Sequence, residues 1–336
     1  MAATGPRDAG DPGPAAGRPL VVVLGASGFL GSAVVRALAE LPVRVRAVAR
    51  REPDAPGSVE TRRTDLARPG AVAEAVAGCD AVFPFAAHIR GPSGWRIAEG
   101  DETAERIHVG LVRDLVAALR DRAGGPPPVV VFPGSNTQVG KVTADRIDGT
   151  EEDHPEGVYD RQKHTAERLL MAATEAGHLR ATSLRLPPVF GPPAAATTDD
   201  RGVVSTMIRK ALAGEPLTMW HDGTVRRDLL NIEDAARAFV TALDHADELA
   251  GRHYLLGTGR APALGDVFRS IAAAVARHTG REPVPVVPVP PPPHFEGSDL
   301  RSVEVDPSAF TAVTGWTCRV PLEEALARTV AALAES

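Results

Sequence analysis

The sequence predicts an α/β fold, a doubly wound parallel sheet with a smaller C-terminal lobe. Three observations point there. Short apolar runs alternate with helical stretches through the first half of the chain. A glycine-rich turn, Gly25-Ala26-Ser27-Gly28-Phe29-Leu30-Gly31, joins the first apolar run to the first helix. Tyr159 and Lys163 stand four residues apart on a later helix. Alternation of this kind means parallel strands, because each crossover helix covers one face of the sheet.

The elements follow in order. The run Leu20-Val21-Val22-Val23-Leu24 is continuously apolar, as a strand buried on both faces requires. Further strands are expected at 43–49, 58–61, 80–86, 128–133 and 180–186, with helices at 28–41, 69–77, 101–122 and 155–177. The glycine turn fits a Rossmann-type nucleotide loop. Glycine allows the tight bend, lets backbone approach a pyrophosphate and lets the helix pack closely on the strand. The helix start adds unpaired N–H groups and a positive dipole end. From about Pro187 prolines multiply, and helices are expected near 201–213, 233–246, 264–277 and 321–333. The proline-valine run 284–293 reads as an extended connector. The organisation is then a disordered tail at 1–18 and a nucleotide-binding domain at 19–186, completed by parts of about 227–256. Residues 187–336 form mainly a substrate-binding lobe.

Composition bounds the partners. The formal net charge is −6 and there is no long basic block, which argues against nucleic acid and acidic membranes. No apolar run is long enough to span a bilayer, and the Gly/Pro/Ala-rich start lacks a signal core, so a cytoplasmic protein is expected. Cys79 and Cys318 match neither a redox pair nor a metal spacing, and the histidines form no H-E-x-x-H pattern, so no metal is expected.

The chemistry rests on scarce residues. Tyrosine occurs only as Tyr159 and Tyr254, and lysine only as Lys141, Lys163 and Lys210. Positions i and i+4 share a helix face, so Lys163 can lower the Tyr159 phenol toward the working pH beside a reacting carbonyl. Alone, the pattern is short and common; the upstream glycine turn gives it context. The second strand ends Ala49-Arg50-Arg51, where an NAD site places a carboxylate for the ribose 2′-hydroxyl. Two guanidinium groups there suit a 2′-phosphate, so the expected cofactor is NADP(H), with Arg50 as main contact and Arg51 second. One of the two can equally be solvated surface charge. Asp65-Leu66 follows the third strand, where a carboxylate reaches an adenine amino group.

Together these residues resemble the extended short-chain dehydrogenase/reductase family of nucleotide-sugar epimerases, dehydratases and reductases. The resemblance runs from Leu20 to about Leu333. It rests on Gly25/Gly28/Gly31, Asp65-Leu66, Ala86-Ala87-His88, Ser135, Tyr159/Lys163, the stretch 185–191, and Arg227-Asp228 before Asp234. It implies that Ser135 hydrogen-bonds the reacting carbonyl, Tyr159 protonates it, and Lys163 binds the nicotinamide ribose. Ala86, Ala87, His88, Pro188 and Val189 would line the cofactor, and Arg227 would grip a diphosphate. On position alone Ser135 also reads as a solvated turn serine, and Arg227 as a surface pair with Asp228. Asn136 and Thr137 follow Ser135 where dehydratases carry an Asp-Glu pair, which argues against elimination of water. His108 replaces a family asparagine, and Pro188 replaces another.

The stretches 83–91, 133–140 and 219–224 are similar to the dTDP-4-keto-6-deoxy-L-hexose 4-ketoreductases of antibiotic deoxysugar synthesis. This implies NADPH reduction at C4 of a dTDP-4-keto-6-deoxyhexose. His88, Arg90, Ser135, Asn136, Trp220, His221 and Arg227 would contact that substrate, and a homodimer would form through helices 101–122 and 155–177. Two alternatives stay open: a 4-epimerase that retains NAD, and a non-catalytic NADP-binding regulator on the same fold.

Overall fold

The computed structural model describes residues 17–88, 96–120, 122, 124–142, 144–194, 198, 200, 202–220, 222–290 and 301–335. Its chain order explains the architecture. β1 (Leu20–Leu24) is buried along its length and feeds α1 (Phe29–Ala39). β2 (Arg44–Ala49), β3 (Glu60–Arg63), α2 (Ala71–Val76) and β4 (Ala81–Pro84) follow. Next come α3 (Glu102–Glu105), a π-turn over Arg106–Gly110, and α4 (Leu111–Arg120). β5 (Val129–Ser135) runs into a 3₁₀ turn at Asn136–Val139, then β6 (Arg146–Ile147), α5 (Val158–Glu175) and β7 (Arg180–Leu186).

The second half opens with β8 (Val189–Phe190), α6 (Val203–Leu212), β9 (Leu217–Trp220), β10 (Leu230–Asn231) and α7 (Ile232–Asp244). It continues through α8 (Ala246–Leu249), β11 (Arg252–Leu255), α9 (Leu264–Thr279), β12 (Val286–Val289) and β13 (Glu304–Val305). α10 (Ser308–Thr314) and α11 (Leu322–Ala334) end it.

Seven strands form one parallel sheet in the order β11-β7-β5-β4-β1-β2-β3. Alternate side chains of β1 supply two cores, as a strand's period of two requires. Val21 and Val23 join Val34, Leu38, Phe239 and Phe310 on one face. Leu20, Val22 and Leu24 join Leu115, Ala166 and Leu170 on the other. A third core gathers α6, α9 and α11 around Ile208, Phe268, Ile271 and Leu326. The fold is thus the Rossmann-type doubly wound α/β arrangement expected. Strand order reverses between β1 and β4, and ligands in such sheets bind at that switch.

Three expectations are corrected. The helix expected at 101–122 runs without a break over 102–120 but is not α throughout: a π-turn at Arg106–Gly110 carries His108, which is 3% exposed. The run 284–293 is no simple connector, because β12 pairs in parallel with β9. The third strand lies two residues later than expected, since Glu-Thr-Arg-Arg is an edge strand with no apolar pattern. Of the expected tail, residues 1–16 lie outside the described residues. No helix among the described residues is long and apolar enough to cross a membrane.

Candidate active site

The glycine loop meets the β4 loop at the switch point. Gly25 adopts φ +85°, and a Cβ there would lie 2.5 Å from the Ala86 nitrogen. A Cβ on Gly31 would lie 2.3 Å from the Gly25 carbonyl oxygen. These close approaches keep loop and helix start low, so that the backbone of Ser27, Gly28, Phe29 and Leu30 forms a cradle that larger residues would fill. The first turn of α1 has no capping side chain and no acidic residue to answer its N–H groups. This donor set fits a pyrophosphate.

The corner beyond strands β2 and β3 holds the next group of residues. Ala49 is buried and Arg50 and Arg51 are exposed just beyond it. Arg63 Nε donates to the Arg50 carbonyl at 3.2 Å, which brings a third guanidinium to this corner. The sequence reading missed Arg63, although the pairing of Ala49 with Arg63 in the sheet places it there. Downstream of them, Asp54 is turned away onto α1, where it pairs with Arg36 at 3.2 Å. Asp65 accepts from the Ala67 N–H at 3.1 Å and Leu66 is buried beside it.

Tyr159 and Lys163 lie in the first turns of α5, facing β5. Lys163 is 6% exposed and its Nζ donates to the Pro133 carbonyl at 2.9 Å. Burial lowers the Lys163 pKa to about 8, with Glu167 opposing. The Tyr159 phenol is not lowered as expected. Burial, and then the neighbouring Asp160 carboxylate, push it upward. The Lys163 ammonium sits 5.8 Å from the Tyr159 ring centroid and is engaged by the Pro133 carbonyl.

Ser135 ends β5 and opens the 3₁₀ turn. Its N–H donates to Gln138 Oε1 at 2.8 Å, and Gln138 Nε2 donates to Glu167 at 3.1 Å. Glu167 also takes Ser183 Oγ and Arg185, and Arg185 bonds Asp153 through both terminal nitrogens at 2.7 and 2.6 Å. Burial works against the Glu167 carboxylate, yet Arg185 holds it below the usual carboxylate range. A buried ion pair thereby fixes the Ser135 backbone from behind. Asp153, His164 and Glu167 offer donor atoms within 4.8 Å of one another, but the cation among the two carboxylates is already Arg185.

His108 ties the β4 loop to α5. Its Nε2 accepts from the His88 backbone N–H at 2.9 Å, so in the neutral ring Nδ1 carries the hydrogen. That Nδ1 lies 2.7 Å from Gln162 Oε1. Burial, then Lys163, lowers the His108 pKa to about 4, which keeps the ring neutral. The ring stands edge-on to Tyr159, with centroids 5.6 Å apart. Between His108, Lys163, Phe132, Leu24 and Ala86 lies a cavity of about 10 Å³, room for a single water.

The remaining predicted residues separate into two groups. Ala86, Ala87 and His88 follow β4, Asn136 follows Ser135, and the half-buried Val189 and exposed Pro188 follow β7. All stand beyond carboxyl ends of the central strands. Arg227 and Trp220 belong to the second half of the chain. Arg227 Nη1 donates to the carbonyls of Arg226 and Arg301, while Arg301 Nη2 bonds Glu156 at 2.9 Å, just ahead of α5. Asp228 instead accepts from Thr258 and Gly259 and organises the turn after β11. Trp220 ends β9. Arg90 and His221 lie outside the described residues.

Known proteins share this plan. A dTDP-L-rhamnose 4-epimerase of Burkholderia thailandensis is 32% identical over 181 residues, 54% of this chain and 47% of its own length. The chain therefore spans about half of that relative. A 2-alkyl-3-oxoalkanoate reductase of Stenotrophomonas maltophilia is 29% identical over 266 residues, 76% of this chain and 75% of its own. The solved structure of MoeE5 in complex with UDP-glucose and NAD superposes with TM-score 0.77 at 28% identity, covering 94% of this chain and 98% of that one. RMD from Pseudomonas aeruginosa, complexed with NADPH, shares the fold at TM-score 0.75 and 21% identity. With residues 21–257 matched to its pattern from the glycine loop to the turn after β11, the chain belongs to the NAD dependent epimerase/dehydratase family.

Proposed function

We propose that the protein is an NADPH-dependent 4-ketoreductase acting on a dTDP-4-keto-6-deoxyhexose. The observation that carries this reading is the end of β2, where Arg50 and Arg51, with Arg63 alongside, stand in place of a carboxylate. A reductase must exchange its cofactor every turnover, and a 2′-phosphate held by surface guanidinium groups suits exchange. Asn136 and Thr137 argue against dehydration, and the Stenotrophomonas relative is itself named a reductase. The dTDP-sugar class draws on the Burkholderia relative's name.

In this reading the loop 25–31 holds the pyrophosphate, and Asp65 and Leu66 frame the adenine. Lys163 holds the nicotinamide ribose, and Ala86, Ala87, His88, Pro188 and Val189 enclose the ring. NADPH supplies the hydride when bound. Ser135 fixes the keto oxygen and Tyr159 gives it a proton, which a raised phenol pKa favours because the phenol stays protonated until the oxygen becomes basic. Arg227 anchors the diphosphate, with Asn136 and Trp220 on the substrate side. Residues 187–336 close over the sugar, and two copies pair through α4 and α5.

A second reading is supported by the names of the relatives: a 4-epimerase that keeps NAD bound and returns the hydride to the same carbon. One experiment separates them. Purified protein is analysed for bound nucleotide, then assayed for NADPH consumption on a panel of dTDP-4-keto sugars, with product configuration read by NMR. Tightly bound NAD and C4 inversion without net reduction would establish the epimerase. Equal reduction of the free keto sugar would point to a broader carbonyl reductase.

A further inference from the structure

Ser135 has one hydroxyl hydrogen, and the surrounding bonds dictate its direction. Thr137 Oγ1 donates to Asp160 Oδ1, since an ionised carboxylate only accepts. That uses the single hydrogen of Thr137. Ser135 Oγ lies 2.7 Å from Thr137 Oγ1, so across this gap Ser135 must be the donor. The Thr137 backbone N–H in turn donates to Ser135 Oγ at 3.3 Å. While Asp160 is ionised, the Ser135 hydrogen therefore points along the turn and not toward a substrate. Protonating Asp160 reverses the chain. Its O–H donates to Thr137, Thr137 donates to Ser135, and the Ser135 hydrogen is released for a carbonyl oxygen.

We infer that Asp160, Thr137 and Ser135 form a proton relay that reloads Tyr159 from solvent after each reduction. The inference rests on the reading of this site as one where a carbonyl is reduced, and not on the identity of the sugar. The carbonyl carbon accepts a hydride from the reduced nicotinamide, which is thereby oxidised, and the C=O π bond breaks. The oxygen takes the Tyr159 proton and leaves a phenolate. The phenolate takes a proton through the new hydroxyl from Ser135, Ser135 takes one from Thr137, and Thr137 takes one from the Asp160 carboxyl. The Asp160 carboxylate then takes a proton from water. One hydride and one proton are consumed per turnover.

The corner suits this traffic. Asp160 is half-exposed and reaches solvent, and the neighbouring Tyr159 stands edge-on to the His108 ring. The Asp160 carboxylate already repels a Tyr159 phenolate, so forming the phenolate draws a proton onto Asp160. Charged groups around the start of α5 include Arg161, paired with Glu99, Glu156, paired with Arg301, the His154–Glu152 pair, and the buried Lys163 one turn on. The two hydroxyls of Ser135 and Thr137 link Asp160 to the site.

The test uses full-length enzyme with Asp160→Asn and Thr137→Val. Asparagine still accepts from Thr137 but passes on no proton, so the turn is preserved. The first turnover starts with Tyr159 protonated and does not need the relay. A rapid-mixing burst of NADPH oxidation should keep wild-type rate and amplitude, while steady-state turnover falls about 10-fold or more and Thr137→Ser restores it. Wild-type turnover should decline as pH rises through the Asp160 titration, and Asp160→Asn should abolish that dependence. Burst and steady state falling together, or a steady state within twofold of wild type, would show the bonds to be turn structure only and overturn the relay. A second arm needs no substrate: ¹³C NMR titration of the Asp160 carboxyl. Thr137→Val should raise its midpoint by about half a pH unit or more, because the carboxylate loses a donor. An unmoved midpoint overturns the relay even if no keto sugar proves to be a substrate.

Discussion

Lys163 is a cation held away from water, and that sets a measurable slope of stability against pH. Burial lowers its pKa from 10.5 to about 8, with Glu167 pulling the other way. At about 1.4 kcal/mol per pH unit, the buried charge costs the folded state about 3 kcal/mol below pH 8. The sign follows from proton counts. Between the two pKa values the unfolded chain keeps the lysine proton and the folded chain has lost it, so raising the pH favours folding. The penalty is complete below pH 8 and vanishes above about 10.5.

Lys163→Met keeps an unbranched stem in the same space and removes the titrating group. It orphans the Pro133 carbonyl, but that loss is the same at every pH. Every other ionisable side chain is shared, including Cys79, whose buried thiol is pushed up to about 11 and pulls stability down in alkali. Urea unfolding of both proteins without cofactor, at pH 7 and pH 10, isolates Lys163 as a difference of differences. The wild type should gain about 2–3 kcal/mol more than the variant over that interval. Parallel pH dependences would mean that Lys163 is solvated in the folded chain, and the burial argument would fail.

Four further outcomes are expected. Arg50→Ala should weaken NADPH binding by about 1.5–3 kcal/mol and leave NADH nearly unchanged, measured by fluorescence titration; equal losses would return Arg50 to surface charge. Tyr159→Phe should lower turnover by about 10²–10⁴-fold with NADPH affinity retained. If turnover persists, His88 is the next group to substitute. Gln138→Leu orphans the Ser135 N–H and strips a donor from Glu167, so it should destabilise by about 2–5 kcal/mol in urea unfolding. Arg227→Ala should raise KM for the dTDP-sugar and lower turnover, while leaving reduction of the free keto sugar, if any, unchanged.

The sheet was legible where burial leaves a mark on one strand at a time. β1 and β5 are near-continuous apolar runs because helices cover both their faces. β3 carries Glu60, Arg62 and Arg63 at the sheet edge, so no local pattern fixed its bounds. β9 and β12 are each four residues long, and neither has a partner nearby in the chain. Their pairing of Leu217 with Val286 is decided by α6 and α9 packing against the pair, which no window of sequence contains. The π-turn is likewise a tertiary choice: one extra residue per turn brings His108 onto the His88 N–H and Gln162.

The site was legible in its chemistry and hidden in its support. Gly25, Tyr159, Lys163 and Ser135 carry residue types that the proposed reaction demands. Glu167 and Arg185 carry types that a core ordinarily excludes, and only their partners explain them. Glu167 repeats the Tyr159-to-Lys163 spacing one turn further along α5, so it shares the buried face. Arg185 lies in β7 at 1% exposure, beside the buried Ser183 and Thr182. Two buried charges on adjacent elements must meet or unfold the core. Their meeting sets the height of α5 against β5 through Glu167, Gln138 and the Ser135 N–H. That height places the Tyr159 turn beside the serine. A polar core here therefore fixes the register between α5 and the end of β5, a task that apolar packing alone, which tolerates sliding, performs less sharply.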